Sequence, residues 1–493
     1  MNESRPAGKG PRRVVVVGYG MAGARLADEI RHRDPRGERV RVTVLGAEAH
    51  HAYNRILLSN VVAGSMSPDA VHLHDENWAG TRDIDLRVGT SVTAINRDCR
   101  TVTVLGVDDQ VSTVDYDALV LATGSRAWIP PTEGLIDDDG TLAEGVVPFR
   151  TLEDCEEILS RARAGAPIAV LGGGLLGLEA ARGLAGRGSL VTVVHPVGHI
   201  MERQLDQGAG GVLARALQSH GIEFRLGRNA ARYVPGDGLK LDDGSHVSAD
   251  LVVVSAGVRA ENGIAEAAGL AIDRGIVVDD SLRTNDPRIH AIGDVAQHPG
   301  TVSGLVQPAW DQAEVLADLL TGTDTSARYR GTSVVTRLKA HGIDLSALGD
   351  VHAEIDSADD EVVCLSDPAR GRYAKLVLRE DRVRGAILLG VPDAAATVAH
   401  HYDNGTPAPT DRLALLLGRA LPEETAPVHN PATMPGAVTV CKCNNVTKSS
   451  LVDAWRCGAR NVGELADATR ATTGCGGCTD VVDGIAKWLA STA

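Results

Sequence analysis

Four cysteines near the carboxyl end are spaced as ligands. Cys441-Lys-Cys443 and Cys475-Gly-Gly-Cys478 form two close pairs. Four thiolates suit a [2Fe–2S] cluster or a structural zinc ion. Zinc sites usually carry CxxC on both halves, so the CxC pair favours iron–sulfur. The glycines of TGCGGC keep side chains away and let backbone N–H groups face the sulfurs, and such hydrogen bonds tune a cluster's potential. Cys457 lies between the pairs in a helix-like stretch, LVDAWRCGAR. It reads as a buried thiol, with an alternative ligand as the second reading. Cys99, Cys155 and Cys364 are isolated and read as core or surface thiols.

Two glycine-rich stretches are spaced to hold phosphate. In Gly18-Tyr-Gly20-Met-Ala-Gly23, Gly18 makes the tight turn. Gly20 lets the backbone approach a pyrophosphate, and Gly23 lets a helix pack close to a strand. The phosphates would rest on free N–H groups where Met21 opens the helix. An acidic ribose partner should end the next strand. Glu48, in LGAE, fits that role, later than usual because HRDPRGER lengthens the connection. Gly172-Gly-Gly174-Leu-Leu-Gly177 repeats the logic. His195 ends its second strand, where a Glu would favour the 2′-hydroxyl of NADH. No Arg adjoins it to meet the 2′-phosphate of NADPH, Arg203 being further on. The choice leans to NADH.

These turns need strands and helices to hold them. RRVVVV (12–17) is a β-branched strand, a helix-like stretch with Ala24, Leu26, Ala27 and Ile30 follows, and a second strand spans 39–45. The same order recurs at 168–194. Two such units in one chain read as two nucleotide-binding domains. RVGTSVTAINR, RTVTVLGV, KLDDG and HVSADLVVVSAG look like meander strands. Residues 331–390 read as mixed α+β, with EVVCLS, YAKLVLRE and VRGAILLG as strands. The proline-rich stretch 421–436 is a linker. A small module around the four cysteines follows it.

Composition narrows the class. At 493 residues, about three domains are expected. The net charge of −15 and 3% aromatic content offer little to nucleic acid or to an anionic membrane. No apolar run is long enough to span a bilayer, and no apolar segment follows the basic start. The expectation is a cytoplasmic protein with no nucleic-acid or membrane partner, whose eight cysteines stay reduced. GxSxG and GxxxxGK[ST] are missing from the sequence. His50-His51, His72/His74 and His400-His401 lack partner carboxylates and read as surface residues.

ATGS (122–125) and IHAIGDVA (289–296) resemble the FAD motifs of the two-dinucleotide-binding flavoprotein disulfide reductase superfamily. The resemblance implies that the first unit holds FAD and the second NAD(P)H. Thr123 and Gly124 would lie at the junction of the two domains. Asp294 would bond the ribityl chain, and Gly293 would admit the pyrophosphate. Gly257 is grouped with the NAD(P)H residues. AYNRILLS (52–59) resembles the segment crossing the FAD pyrophosphate in ferredoxin-reductase-like members, with Arg55 as the phosphate partner. That segment has no redox Cys, which argues against disulfide chemistry. Many relatives place a Lys near the flavin N5 edge where this chain has Asn60. Glu179 matches the Glu that pairs with that Lys, so it is a catalytic candidate near the nicotinamide, with an ordinary helix-surface Glu as the other reading.

The tail, 437–490, resembles the bacterioferritin-associated ferredoxin-like [2Fe–2S] module, which makes Cys441, Cys443, Cys475 and Cys478 cluster ligands. The whole order resembles the N-terminal half of the assimilatory NAD(P)H nitrite reductase large subunit and the electron-transfer subunit of assimilatory nitrate reductase. HIMERQLD (199–206), GLVQPAWDQAEVLADLLTG (304–322) and LKAHGIDLSALGD (338–350) strengthen it. The expected fold is α/β. A discontinuous FAD domain spans 11–145 and 249–325, and an NAD(P)H domain spans 146–248. An α+β interface domain (328–420), the linker and a small helical [2Fe–2S] module (437–493) complete it. A homodimer through 328–420 is the expected assembly.

The implied activity is a relay from NAD(P)H through FAD and the cluster to a partner protein. The first candidate acceptor is a nitrate reductase catalytic subunit, and sirohaem nitrite reductase is the second. With no further cysteine set for a sirohaem site, the chain is not expected to reduce nitrite alone. The linker would let the tail swing between flavin and partner. Alternatives are a rubredoxin or ferredoxin reductase, a tail that senses redox state or iron, and a zinc-bearing docking module.

Overall fold

The computed structural model describes residues 10–338, 340, 342–418, 431–432, 434–441, 444–474 and 476–492. Most of the expected linker, together with Cys443 and Cys475, lies outside the described residues. The chain divides into two compact units. One comprises residues 1–55, 69–126 and 258–332, and the other 56–68, 127–257 and 333–493.

The first unit is built on a five-stranded parallel sheet in the order Ile289–Ala291, Ala118–Leu121, Arg12–Val17, Val40–Leu45, Ile84–Arg87. Val14, Val16, Val42, Leu119 and Val120 are fully buried. Such continuous apolar runs belong to strands covered on both faces. Helices Met21–Arg33 and Val306–Thr321 pack on this sheet and on each other. An antiparallel meander of Ser91–Asn96, Thr101–Leu105 and Val111–Asp115 completes the unit.

The second unit repeats the parallel arrangement. Its order is Ile222–Leu226, Leu190–His195, Pro167–Leu171, Leu251–Val254, Val146–Pro148. The domain boundary expected at 249 therefore moves. Leu251–Val254 pairs in parallel with Pro167–Leu171, so it belongs to this sheet and not to the first. Its four residues are all buried, which requires a central strand with both faces covered.

Helix Leu58–Ala63 also falls in the second unit, although its sequence lies inside the stretch expected to be FAD domain. It packs on helix Leu175–Gly186. Gly183 permits the contact, since a Cβ there would stand 3.1 Å from the Ala63 backbone nitrogen.

Residues 335–416 carry an antiparallel sheet ordered Val335–Arg337, Leu345–Gly349, Arg382–Leu389, Arg372–Arg379, Glu361–Asp367, with helix Pro392–Asn404 against it. Asp206 fastens this sheet to the nucleotide fold. It caps helix Gln207–Gln218 and also accepts from Tyr373 Oη at 2.7 Å and buried Lys375 Nζ at 2.9 Å. The tail is a short strand pair, Thr439–Cys441 with Val446–Thr447, and helices Lys448–Arg456, Val462–Thr469 and Thr479–Thr492.

Candidate functional site

In the first unit, the expected FAD residues gather at the carboxyl ends of the parallel strands, where open α/β sheets bind ligands. Gly18 has φ +111°, and a Cβ there would stand 2.2 Å from the Ala122 carbonyl oxygen. A Cβ on Gly23 would lie 2.0 Å from the Gly18 oxygen. Both positions therefore admit only glycine. Gly20 differs, because nothing lies within 4 Å of its would-be Cβ. It opens helix Met21–Arg33, which has no side-chain cap and no acidic residue in its first turn. Helix N–H donors in that state suit an anion. Gly20 thus offers the space a diphosphate needs, and the helix offers the donors.

Gly293 and Asp294 come in over this turn. Gly293 has φ +76°, and its Cβ would meet Ala22 Cβ at 2.9 Å. The Gly293 N–H donates to Gln312 Oε1 at 2.8 Å. Ser125 Oγ donates to Asp294 Oδ2 at 2.9 Å. Thr123 Oγ1 donates to the Glu261 carbonyl at 2.7 Å, and Gly124 has φ +73°. Glu48 and Arg55 form an ion pair, and Tyr53 Oη donates to Glu48 Oε2 at 2.7 Å. Burial lowers the Arg55 pKa, but Tyr53, Glu48 and Asp294 together hold it above the ordinary arginine value.

Tyr53, Ser125 and Gln312 are not among the residues expected from sequence, although each lies within one of the stretches AYNRILLS, ATGS and GLVQPAWDQAEVLADLLTG. A larger omission is Tyr19, inside the glycine turn. Its hydroxyl bonds His74 Nδ1 at 2.8 Å, and His74 Nε2 bonds Asp28 Oδ2 at 2.8 Å. Trp78 Nε1 donates to the other Asp28 oxygen at 2.9 Å, and its ring stacks on His74 at 3.7 Å. His74 is therefore not the surface residue expected. Its carboxylate partner is 46 residues away in sequence, on the first helix.

In the second unit, Gly172 has φ +120°, and a Cβ there would meet the Ser255 oxygen at 2.2 Å. A Cβ on Gly177 would meet the Gly172 oxygen at 2.2 Å. Gly174 is open like Gly20 and begins the uncapped helix Leu175–Gly186. Gly257 has φ +114°, with open space at its Cβ, and its carbonyl accepts from Trp128 N–H at 2.9 Å. Glu179 is buried at 4% exposure, so the helix-surface reading does not hold for it. His195 is buried too. Its Nδ1 accepts from Gly173 N–H at 3.1 Å, and its Nε2 meets Glu202 at 3.0 Å.

In the tail, Cys441 and Cys478 are buried in one apolar cluster with Leu451, Trp455, Leu465 and Ile485. Two buried thiols brought together from distant positions fit a cluster site. Asn444 Nδ2 ties the two cysteine segments, donating to the Arg470 carbonyl at 2.6 Å and to Thr473 Oγ1 at 3.1 Å. Cys457 is exposed, against expectation, because helix Lys448–Arg456 ends just before it and Trp455 is the side chain that turns inward.

Comparison with known proteins decides the family. The model of the pyridine nucleotide-disulphide oxidoreductases matches residues 12–313. The chain belongs to the pyridine nucleotide-disulphide oxidoreductase family. A BFD-like [2Fe-2S] binding domain matches residues 439–488, and a rubredoxin NAD+ reductase C-terminal domain matches residues 335–399. This pyridine nucleotide-disulphide oxidoreductase is 35% identical to the nitrite reductase [NAD(P)H] of Bacillus subtilis (strain 168), over 97% of this chain and 57% of that one. It is 33% identical to the assimilatory nitrate reductase electron transfer subunit of the same organism, over 97% of this chain and 60% of that one. The chain thus spans little more than half the length of these curated relatives.

Among solved structures, the covalent putidaredoxin reductase–putidaredoxin complex matches with TM-score 0.70 and 26% identity, over 80% of this chain and 94% of that one. The protein is an FAD-dependent NAD(P)H oxidoreductase with a [2Fe–2S]-binding module. No described helix is long and apolar enough to cross a membrane.

Proposed function

We propose that this oxidoreductase carries electrons from NADH to the catalytic subunit of an assimilatory nitrate reductase, with sirohaem nitrite reductase as the second acceptor. A bound FAD would supply hydride acceptance from the nicotinamide, and a [2Fe–2S] cluster would supply one-electron transfer. The chain's own residues bind and orient. Gly18, Gly20, Met21, Gly23, Glu48, Arg55, Thr123, Gly124, Gly293 and Asp294 hold FAD. Gly172, Gly174, Gly177 and Gly257 hold NADH, with His195 placed at its ribose end and Glu179 facing the nicotinamide. Cys441, Cys443, Cys475 and Cys478 hold the cluster.

The carrying observation is the seat of the cysteine module. Asn60 Nδ2 donates to the carbonyl of Thr473, two residues before Cys475, at 3.5 Å. Asn60 is the position that the resemblance puts beside the flavin N5 edge. A cysteine loop seated there suits a relay better than a remote sensor. The likeness of this chain to an electron transfer subunit supports the acceptor. We place the work in the cytoplasm, as a homodimer through residues 328–420.

A second reading is a rubredoxin or ferredoxin reductase, favoured by the rubredoxin NAD+ reductase match over 335–399.

The test is an anaerobic NADH titration of the metallated holoprotein, followed by absorbance and EPR together. A relay bleaches the flavin and develops a reduced [2Fe–2S] signal. Bleaching with no cluster signal makes the tail a sensor or zinc module, and the relay falls. Added nitrate reductase, nitrite reductase or rubredoxin then identifies the acceptor by which one reoxidises the cluster.

A further inference from the structure

In a dinucleotide fold, the group at the end of the second strand meets the adenosine ribose, and an acidic residue there binds the 2′-hydroxyl. His195 occupies that position, and it is turned away from such a role. A backbone N–H can only donate, so His195 Nδ1 must accept from Gly173 at 3.1 Å. The ring proton is then on Nε2, directed to Glu202 Oε2 at 3.0 Å. Burial depresses the His195 pKa, which keeps the ring neutral in this tautomer.

The backbone fixes Glu202 as firmly as the ring does. The Gly173 peptide binds both sides of the turn: its N–H goes to His195, and its carbonyl accepts from Met201 N–H at 2.9 Å. Met201 is fully buried in a left-handed conformation, φ +53°, and its own carbonyl accepts from Gln204 and Leu205 N–H at 2.8 Å each. The next residue is Glu202, whose side chain is 32% exposed. A carboxylate is thus presented at the mouth of the glycine turn, anchored to the turn's own peptide. Two of the basic side chains nearby are paired within the protein, while Arg203, next in sequence, is exposed. Arg228, whose N–H bonds the His195 carbonyl, pairs with Asp243 at 2.6 Å, and Arg225 pairs with Glu223 at 3.2 Å.

We infer that Glu202, presented by His195, selects NADH over NADPH by accepting from the 2′-hydroxyl and repelling a 2′-phosphate. The inference rests on the reading that the second glycine turn holds the nicotinamide nucleotide. His195 is a positioning residue, and Glu202 is the specificity residue.

The experiment is calorimetric titration of the holoprotein with NAD+ and with NADP+, which bind without turnover. The wild type is expected to favour NAD+ by tenfold or more. Glu202→Gln keeps the shape without the charge and should shrink that ratio at least fivefold. Arg203→Ala, an exposed neighbour, should leave the ratio within twofold. His195→Leu should shrink the ratio as Glu202→Gln does. His195→Gln, whose amide nitrogen can reach the Nε2 position, should retain more of it than His195→Leu. A wild type that favours NADP+ overturns the inference, as does an unchanged ratio in Glu202→Gln. Equal effects of the two His195 variants remove the positioning role. Gly174→Ala separates this from the parent reading. If that variant binds both nucleotides normally, the assignment of the second turn itself fails.

Discussion

Arg55 and Glu48 form an ion pair, and Tyr53 closes it from the side, its hydroxyl on Glu48 and its ring 4.8 Å from the Arg55 guanidinium. Two residues read from sequence as holding different parts of FAD thus hold each other. Charge-assisted bonds in half-buried positions contribute about 1.5–3 kcal/mol, or roughly 10- to 100-fold in affinity. Arg55→Gln is expected to weaken FAD binding across that range, read from fluorescence quenching as apoprotein is titrated with FAD. Glu48→Gln should cost about tenfold, since it weakens the ribose acceptor by removing its charge and loosens Arg55. The double variant should cost less than the two singles combined, because they share one interaction. Simple additivity would mean that the pair does not act as a unit.

The glycines predict two different failures. Gly20→Ala and Gly174→Ala add a methyl group to open space, so the protein should fold and keep its secondary structure. Gly20→Ala should then release FAD on gel filtration, and Gly174→Ala should retain FAD but lose NAD+ binding. Gly23→Ala puts a methyl group 2.0 Å from a backbone oxygen. It should depress soluble yield, even with FAD in the medium. Full FAD retention in Gly20→Ala would show that the phosphates lie elsewhere.

The glycine turns and the parallel strands were legible because their signals are local. A turn with φ above +100° needs glycine, and a strand buried on both faces needs an unbroken apolar run. Gly18, Gly172, Arg12–Val17 and Pro167–Leu171 carry those signals in a few residues. What stayed hidden depends on residues distant in sequence. His74 looked solvent-exposed because its partners, Tyr19 and Asp28, lie on the first glycine turn and helix. Helix Leu58–Ala63 was read with the wrong unit because nothing in LSNVVA names its neighbour, and only the Gly183 contact does. Leu251–Val254 was cut from its sheet for the same reason, since an apolar run states that it is central but not in which sheet. Glu202 carries no local signal, since the strand end is His195, seven residues earlier, and only the fold brings the two together.

Asn60 offers a direct test of the relay. Its bond to the Thr473 carbonyl is long, 3.5 Å, so its loss should cost about 1 kcal/mol, or roughly fivefold in the docked population. In stopped-flow mixing with NADH, Asn60→Ala should reduce flavin at the wild-type rate while cluster reduction slows about fivefold. Cys478→Ser should remove the cluster signal and leave the flavin phase intact. Equal slowing of both phases in Asn60→Ala would instead show that Asn60 serves hydride transfer and not the seat of the cysteine loop.

His290 makes the first unit sensitive to acid. It is buried at 5% exposure in strand Ile289–Ala291, and its Nδ1 has no hydrogen-bond partner. Burial first, and then the nearby Arg12, push its pKa down from 6.5 to about 4. A group that is harder to protonate when folded favours the folded state only while the unfolded chain is also neutral there. Its contribution is therefore complete above pH 6.5, falls as the pH drops towards 4, and levels off below that. At pH 5 the loss is about 2 kcal/mol, a shift of roughly 4–8 °C for a unit of this size. The temperature at which flavin fluorescence appears reports this unit's unfolding, provided free FAD is held constant. Between pH 7.5 and 5 it should fall by several degrees more in the wild type than in His290→Leu, which has nothing to protonate. Replacing the imidazole by an apolar side chain removes the partnerless Nδ1 but also the ring's bond to the Ser281 backbone, so the variant should be somewhat less stable at pH 7.5, and the comparison is of the two pH slopes. Parallel pH profiles for the two proteins would assign the acid sensitivity to other groups.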